Sequence, residues 1–237
     1  MARSFDGVDD KIVWGTSAVY APTAWSATAW IKFPANTSLE RQIFSKQTAL
    51  FIGRLYLLLF PGVQNSIGTV ATRNAAGASP MAAWSTADTL TAGVWNFVAA
   101  TYDGGVVDTN VHIYQALVNR PAAEVSYASR DAGTAGAFDA GTNLMIGARE
   151  PLDATFWLGQ LADVRLYNIQ LTLNEIIQIQ YGKFVRYAQS ILDCPLWGQN
   201  PENDISSIHA SGALTGTTVT NFAPFTTFTQ NLMGVGI

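Results

Sequence analysis

The chain has 237 residues, of which 49% are hydrophobic and only 13% charged, and its formal net charge is −4. So much apolar surface excludes a disordered chain. The acidic balance, with no run of Lys or Arg, argues against a nucleic-acid partner, because neutralising phosphates requires clustered basic residues. We therefore expect one large folded domain whose charge-poor surface is partly hidden in an assembly.

The start of the chain, Met1–Asp6, lacks the apolar core of a secretory signal. We therefore expect synthesis in a cytoplasm without export by the common route. The most apolar stretch, residues 55–60, is too short to cross a bilayer, so no membrane partner is expected. The single cysteine, Cys194, excludes an intrachain disulfide and is predicted to be a buried thiol.

Short apolar or alternating segments, separated by Gly, Pro, Asn and Asp, recur along the chain and predict β-strands. The predicted strands are Lys11–Trp14, Ala24–Phe33, Gln42–Phe44, Leu50–Leu59, Ser66–Ala71, Trp95–Tyr102, Val111–Leu117, Leu144–Ile146 and Gly159–Tyr167. Many short strands with intervening turns indicate an all-β sandwich or barrel.

One short helix is predicted near residues 172–181. Thr172 is placed to cap its first turn, Glu175 stands at the position that completes a capping box, and Gly182 ends it.

The sequence changes character after residue 182, so we divide the chain into a core, 1–182, and a C-terminal strand and arm, 183–237. Leu192–Trp197 is predicted to be a further strand. The last segment has no charged residue and contains Phe222, Phe225 and Phe228. It is either an extension lying over its own domain or an assembly arm that orders against a neighbouring subunit.

Four motifs, in order along the chain, resemble those of the laminin-G-like and concanavalin A-like jelly rolls. They are Phe5–Asp10, Trp25–Lys32, Trp95–Gly104 and Gly159–Asn168, followed by the short helix. The resemblance implies a jelly roll made of two antiparallel sheets packed as a β-sandwich. Large rings at strand positions are expected to fill the gap between the sheets: Trp25, Trp30, Trp95, Phe97, Tyr102 and Tyr167.

The resemblance departs at the N-terminus, where the family commonly has one more strand before its Phe-Asp-Gly motif. Here Ile191–Gly198 resembles that missing strand, moved to the other end of the chain. Permutation is tolerated where termini lie close together. We expect Leu192–Trp197 to occupy the first-strand position, in its own subunit or exchanged into a neighbour.

The related endoglucanases need two glutamates close together on one strand. The five glutamates here, Glu40, Glu124, Glu150, Glu175 and Glu202, are all more than 20 residues apart. Asp9 and Asp10 are adjacent, and on a strand they would face opposite sides. We therefore expect no catalytic residues and no enzymatic activity.

The resemblance also implies a structural calcium ion, for which the matching residues are Asp6 and Asp163. Carboxylate and carbonyl oxygens suit this ion. The alternative is that Asp6 forms a turn and that Asp163 pairs with Arg165 or lies at a bulge.

A carbohydrate site would need exposed rings beside polar side chains. Trp84, Phe156 and Trp157 lie in loop-like sequence and are the candidates. The alternative is that these rings fill the edge of the sandwich.

We expect a phage virion component, a capsid decoration or tail-associated subunit, that associates with copies of itself, with a trimer as one option, and with other virion proteins. The alternative is a free carbohydrate-binding lectin module that recognises a glycan.

Overall fold

The computed structural model describes residues 1–36, 38–48, 52–59, 63–72, 81–133, 141–149 and 155–220. For residues 47–48, 52–59 and 72 it describes the backbone.

Strands dominate these residues, and they are numbered here in chain order. The first nine strands are β1 Ala2–Asp6, β2 Lys11–Gly15, β3 Trp25–Lys32, β4 Arg41–Thr48, β5 Ile52–Leu59, β6 Ile67–Thr72, β7 Met81–Ser85, β8 Asn96–Tyr102 and β9 Val111–Leu117. The others are β10 Ala123–Glu124, β11 Tyr127–Asp131, β12 Leu144–Ile146, β13 Leu158–Tyr167, β14 Ser190–Cys194, β15 Glu202–Asn203, β16 Ser211–Thr215 and β17 Thr218–Thr220.

The strands form two antiparallel sheets. Sheet I has the order β10-β9-β8-β3-β13-β1-β17, and β14 also pairs with β13. Sheet II has the order β11-β7-β6-β5-β4-β12-β2-β16-β15. The predicted two-sheet antiparallel sandwich of the jelly-roll type is confirmed. Most predicted strands are present with ends shifted by a few residues. The strands that were not predicted are β1, β7, β10, β11, β15, β16 and β17.

The large rings divide between two cores. Trp25 lies against Tyr102 in the core between the sheets, with their ring centroids 6.4 Å apart. Trp30 lies on the opposite side of β3 and packs edge-on against Phe97, at 5.4 Å. Alternate residues of a strand face opposite sides, so rings five positions apart on β3 cannot share a face. The expectation that all six rings fill the gap between the sheets was therefore wrong: Trp30, Trp95, Phe97 and Tyr167 belong to the second core.

The predicted helix is confirmed as α1, Leu173–Gln180, and it covers this second core. Thr172 and Glu175 form the capping box at its start. Its buried residues Ile176 and Ile179 pack on the outer face of sheet I. Gly182 has a positive φ of 77° and ends the helix. No helix in the described ranges is both long and apolar enough to span a membrane.

The segment after α1 contributes strands to both sheets. β14 pairs with β13 of the same chain, β16 pairs with β2, and β17 pairs with β1. A buried ion pair fastens this segment to the start of the chain, since Arg3 Nε donates to Glu202 Oε1 at 2.5 Å. Leu192 and Cys194 of β14 are buried in the core between the sheets.

We predict that a chain lacking residues 190–237 does not fold. The deletion removes Leu192 and Cys194 from the core and leaves one edge of β13 without its hydrogen-bonding partner. The measurement is thermal unfolding followed by circular dichroism. A control chain that ends at Thr220 keeps every described strand and should unfold cooperatively. A soluble 1–189 chain with a native-like melting curve would contradict the prediction.

Candidate functional site

An irregularity in β13 creates the candidate site. Between Ala162 and Arg165, β13 contains one residue more than the facing stretch of β3, which is a β-bulge. Asp163 lies in this bulge with a positive φ of 50°, a conformation that costs energy in residues other than glycine. On the other edge of β13, pairing passes at this point from β1 to β14. The bulge therefore lies where the ends of two strands meet.

Three charged side chains meet beside the bulge. Arg165 Nε donates to Asp163 Oδ1 at 2.8 Å, and Arg165 Nη2 donates to Asp163 Oδ2 at 3.1 Å. Asp193 faces Arg165 across β13 and β14, with its Oδ1 atom 3.5 Å from Arg165 Nε. All three residues are buried, and Asp193 is only 2% exposed. One guanidinium thus serves two buried carboxylates.

One oxygen of the Asp193 carboxylate has an ion-pair contact with Arg165 but no hydrogen bond. This Oδ1 atom is buried and accepts no hydrogen bond from the described residues. Burial raises the pKa of Asp193; Arg165 lowers it, and Asp163 and Asp204 raise it further, to a value of about 7. A buried acceptor without a donor destabilises the fold by roughly 1–3 kcal/mol. A ligand that donates a hydrogen bond here would remove this cost.

Asp163, Arg165 and Asp193 line a small cavity of about 220 Å³. Trp197 and Phe184 line it and are 49% and 59% exposed. Leu196 is fully buried and Trp197 follows it, so the chain turns one side chain into the core and the next towards the cavity. The guanidinium carbon of Arg165 lies 5.0 Å from the centre of the Phe184 ring. The other lining residues are Met1, Ala162, Gly182, Pro195 and Ile205. We call this cavity the bulge pocket.

Buried charge and exposed rings that line one cavity are an arrangement typical of a small-molecule site. The model of the concanavalin A-like lectin/glucanase superfamily matches residues 6–177. The chain belongs to this superfamily. The predicted resemblance is thereby confirmed, and the matched residues contain the bulge but end before β14.

Solved structures share the fold of this superfamily member at low sequence identity. A candidate carbohydrate-binding protein from Bacteroides ovatus has a TM-score of 0.63 and 16% identity, covering 92% of this chain and 58% of its own. A heptameric pentraxin from Limulus polyphemus has a TM-score of 0.53 and 14% identity, and the match covers 92% of this chain and 93% of that one. The enzymatically active domain of tailspike protein 2 from bacteriophage CBA120 has a TM-score of 0.54 and 13% identity, and the match covers 81% of this chain and 29% of that one. This chain thus spans 58% of the Bacteroides protein's length. No curated protein matched the chain.

The three predicted carbohydrate-binding rings lie apart. Trp157 is fully buried in the core between the sheets, so its proposed exposure was wrong. Its neighbour Phe156 is half-buried and lines a shallow groove that also contains Val8, Leu39 and Arg41.

Trp84 lies on strand β7 and not in a loop. It is half-buried on the outer face of sheet II beside Val70 and Ala82. Its ring lies directly over Gly68, where an added Cβ would be 2.0 Å from the ring. Trp84 therefore lies on a part of the fold that is separate from the bulge pocket.

The two residues predicted to bind calcium are not brought together. Asp6 pairs with Leu158, five residues before Asp163 along β13, and Asp163 gives both oxygens to Arg165. The pair therefore does not fit a calcium site.

The acidic side chains around Asp6 form a different cluster. One carboxylate oxygen from each of Asp6, Asp9 and Asp10 lies within 4.8 Å of the others. Asp9 and Asp10 lie in the turn before β2, so the expectation that they face opposite sides was wrong. Asp10 accepts the Asp6 backbone N–H at 2.8 Å, and Asp6 accepts that of Val8 at 2.8 Å. These oxygens could hold a hard cation, and these bonds also give them a role in the turn.

The four described glutamates each form an ion pair with an arginine: Glu40 with Arg149, Glu124 with Arg130, Glu175 with Arg186 and Glu202 with Arg3. Glu124 also contacts His112 at 2.8 Å and Tyr127 at 2.7 Å. This network joins β9 and β10 of sheet I to β11 of sheet II. The predicted assembly residues Phe222, Phe225 and Phe228 lie outside the described residues.

Sequence reasoning missed Asp193, Trp197 and Phe184 as members of a site. Asp193 stands in an apolar run, Ile191–Cys194, and a charged residue at such a position is a signal that could have been used. Its proximity to Arg165 depends on the pairing of β14 with β13, which no local pattern specifies.

We predict that Asp193→Asn stabilises the protein increasingly as pH rises. The pKa of Asp193 is about 7 in the fold against a reference value of 3.8. Between these values the folded chain holds a proton that the unfolded chain has lost, so wild-type stability falls as pH rises through this window. Each unit of the pKa difference contributes about 1.4 kcal/mol. The amide introduced by Asp193→Asn cannot ionise, so the substitution removes the effect.

The measurement is the free energy of unfolding of both proteins from pH 4 to pH 8. The free energy of unfolding of Asp193→Asn should exceed that of the wild type by an amount that grows up to about pH 7 and then levels off. Asp131→Asn, which removes an exposed carboxylate on β11, is the control. An advantage that is absent, or constant at every pH, would refute the prediction.

Proposed function

We propose that the protein binds a glycan in the bulge pocket without acting on it chemically. The observation that carries the proposal is that one pocket is lined both by Asp193, whose buried Oδ1 atom accepts no hydrogen bond, and by two exposed rings. Sugar hydroxyls donate hydrogen bonds, and the apolar C–H face of a sugar packs on aromatic rings. The pocket offers a partner for each, a carboxylate for the hydroxyls and aromatic rings for the C–H face. The Bacteroides candidate carbohydrate-binding protein supports the proposal through its fold alone.

The arrangement of the carboxylates supports binding over hydrolysis. A glycosidase needs two carboxyl groups free to act on opposite sides of a glycosidic bond. Asp163 is held through both oxygens by Arg165, and releasing it would leave a buried charge unpaired. The described glutamates are each held in an ion pair. In the bulge pocket, Asp193 is the carboxylate that could exchange a proton with a ligand.

We predict that Trp197→Ala weakens glycan binding and leaves folding intact. The ring is 49% exposed, so its removal opens no core cavity. Loss of its packing against a sugar ring should weaken binding about tenfold or more, which corresponds to about 1.4 kcal/mol. A glycan array identifies the ligand, and titration calorimetry compares the variants.

Two further variants make this test specific. Tyr187→Ala removes a ring of similar exposure, 52%, that does not line the pocket, and it should bind as the wild type does. Trp84→Ala tests the surface on sheet II. Loss of binding in Trp84→Ala but not in Trp197→Ala would move the site to Trp84. The absence of any saturable glycan would refute the function.

A second candidate is a subunit of a phage virion that associates with itself, present in the virion after synthesis in the host cytoplasm. Exposed apolar side chains around the pocket favour an assembly: Met1 and Phe184 line it, and Val219 lies against Gly198 beside Trp197. A mass that rises with concentration in analytical ultracentrifugation, or rings in negative stain, would support this role. A monomer at all concentrations would argue against it.

A further inference from the structure

The bulge pocket holds two carboxylates and one guanidinium, so it carries a net negative charge when Asp193 is ionised. Every nitrogen of the Arg165 guanidinium is already donating: Nε and Nη2 to Asp163, and Nη1 to the backbone oxygen of Lys183 at 3.0 Å. Asp163 therefore neutralises Arg165. Ionised Asp193 adds a negative charge that no other cation in the described structure balances within ion-pair distance.

The groups around Asp193 do not balance its negative charge. The nearby carboxylate of Asp204 accepts hydrogen bonds from the Asp193 backbone N–H at 2.8 Å and from Ser206 Oγ at 2.7 Å. It adds negative charge near the pocket and offers Asp193 no proton. Asp193 thus shares the one guanidinium with Asp163, which takes its hydrogen bonds, and has no second cation among the described residues.

The rim of the pocket suits a cation as well. Trp197 and Phe184 line it, and the faces of aromatic rings attract cations, as the Arg165 guanidinium 5.0 Å from the centre of the Phe184 ring illustrates. Carboxylate-bearing sugars would be repelled by the net negative charge of the pocket. An N-acetyl group would bring a donor to the site but no charge.

We propose that the pocket selects glycans that carry a free, protonated amino group, which pairs with Asp193. This inference rests on the proposed glycan-binding function and specifies its ligand class. The ammonium group pairs with the carboxylate of Asp193, which lines the pocket, and supplies a second positive charge, while the sugar packs against the aromatic rim.

The test is titration calorimetry of the whole protein with two sets of oligomers of equal length, one of β-linked glucosamine and one of β-linked N-acetylglucosamine. They share the same backbone and differ in the charge at the nitrogen. The glucosamine oligomer should bind at least about tenfold more tightly, because a charged hydrogen bond is roughly twice as strong as a neutral one. Asp193→Asn should remove this preference.

The control for non-specific attraction is Asp131→Asn, since the protein is acidic and the glucosamine oligomer is a polycation. It removes one negative charge, as Asp193→Asn does, but at an exposed position. It should keep the preference. Oligomers of a uronic acid should not bind.

The outcomes separate the two proposals. Equal or tighter Trp197-dependent binding of the acetylated oligomer would overturn the amine preference and leave the glycan function standing. A preference that survives in Asp193→Asn would show non-specific attraction and would also overturn it. If no oligomer binds and the glycan array is empty as well, both proposals fail.

Discussion

Strand β13 has three neighbouring strands, and its interruption at Asp163 marks the point where one neighbour replaces another. β3 runs along one edge, while β1 and β14 share the other edge on either side of the bulge. The first and last parts of the chain therefore meet on one strand. Arg165 holds the strained residue in place through two hydrogen bonds, and Asp193 reaches the same guanidinium from β14. The closure of the fold and the charge of the pocket depend on this one cluster.

The cluster around Asp163 and Asp193 lowers the stability of the fold, and such a cost points to a functional role. A non-glycine residue with positive φ costs about 1–3 kcal/mol, and a buried carboxylate without a donor adds a similar penalty. Proteins break local rules of this kind mostly at functional sites. The bulge pocket has both features within one small volume. Their coincidence beside a cavity supports the bulge pocket as the proposed binding site.

The sequence predicted the fold well because its signals are local. Alternating segments such as Val111–Leu117 and the capping box at Thr172 act within a few residues, and the structure has them where they were predicted. It predicted the site poorly because Asp193 and Arg165 lie 28 positions apart and meet only through strand pairing. Trp157 and Trp197 likewise could not be told apart from local sequence. Both are tryptophans near turns, and only packing decides that the first is buried and the second exposed.

The most direct test of the account is to observe the tryptophan indole N–H signals by NMR while an oligomer of β-linked glucosamine is added. The chain has seven tryptophans, of which Trp14, Trp25, Trp30 and Trp157 are buried. Glycan binding in the bulge pocket predicts that the Trp197 signal shifts saturably and that the four buried signals stay in place. A Trp197 signal that does not move while that of Trp84 shifts would contradict the account.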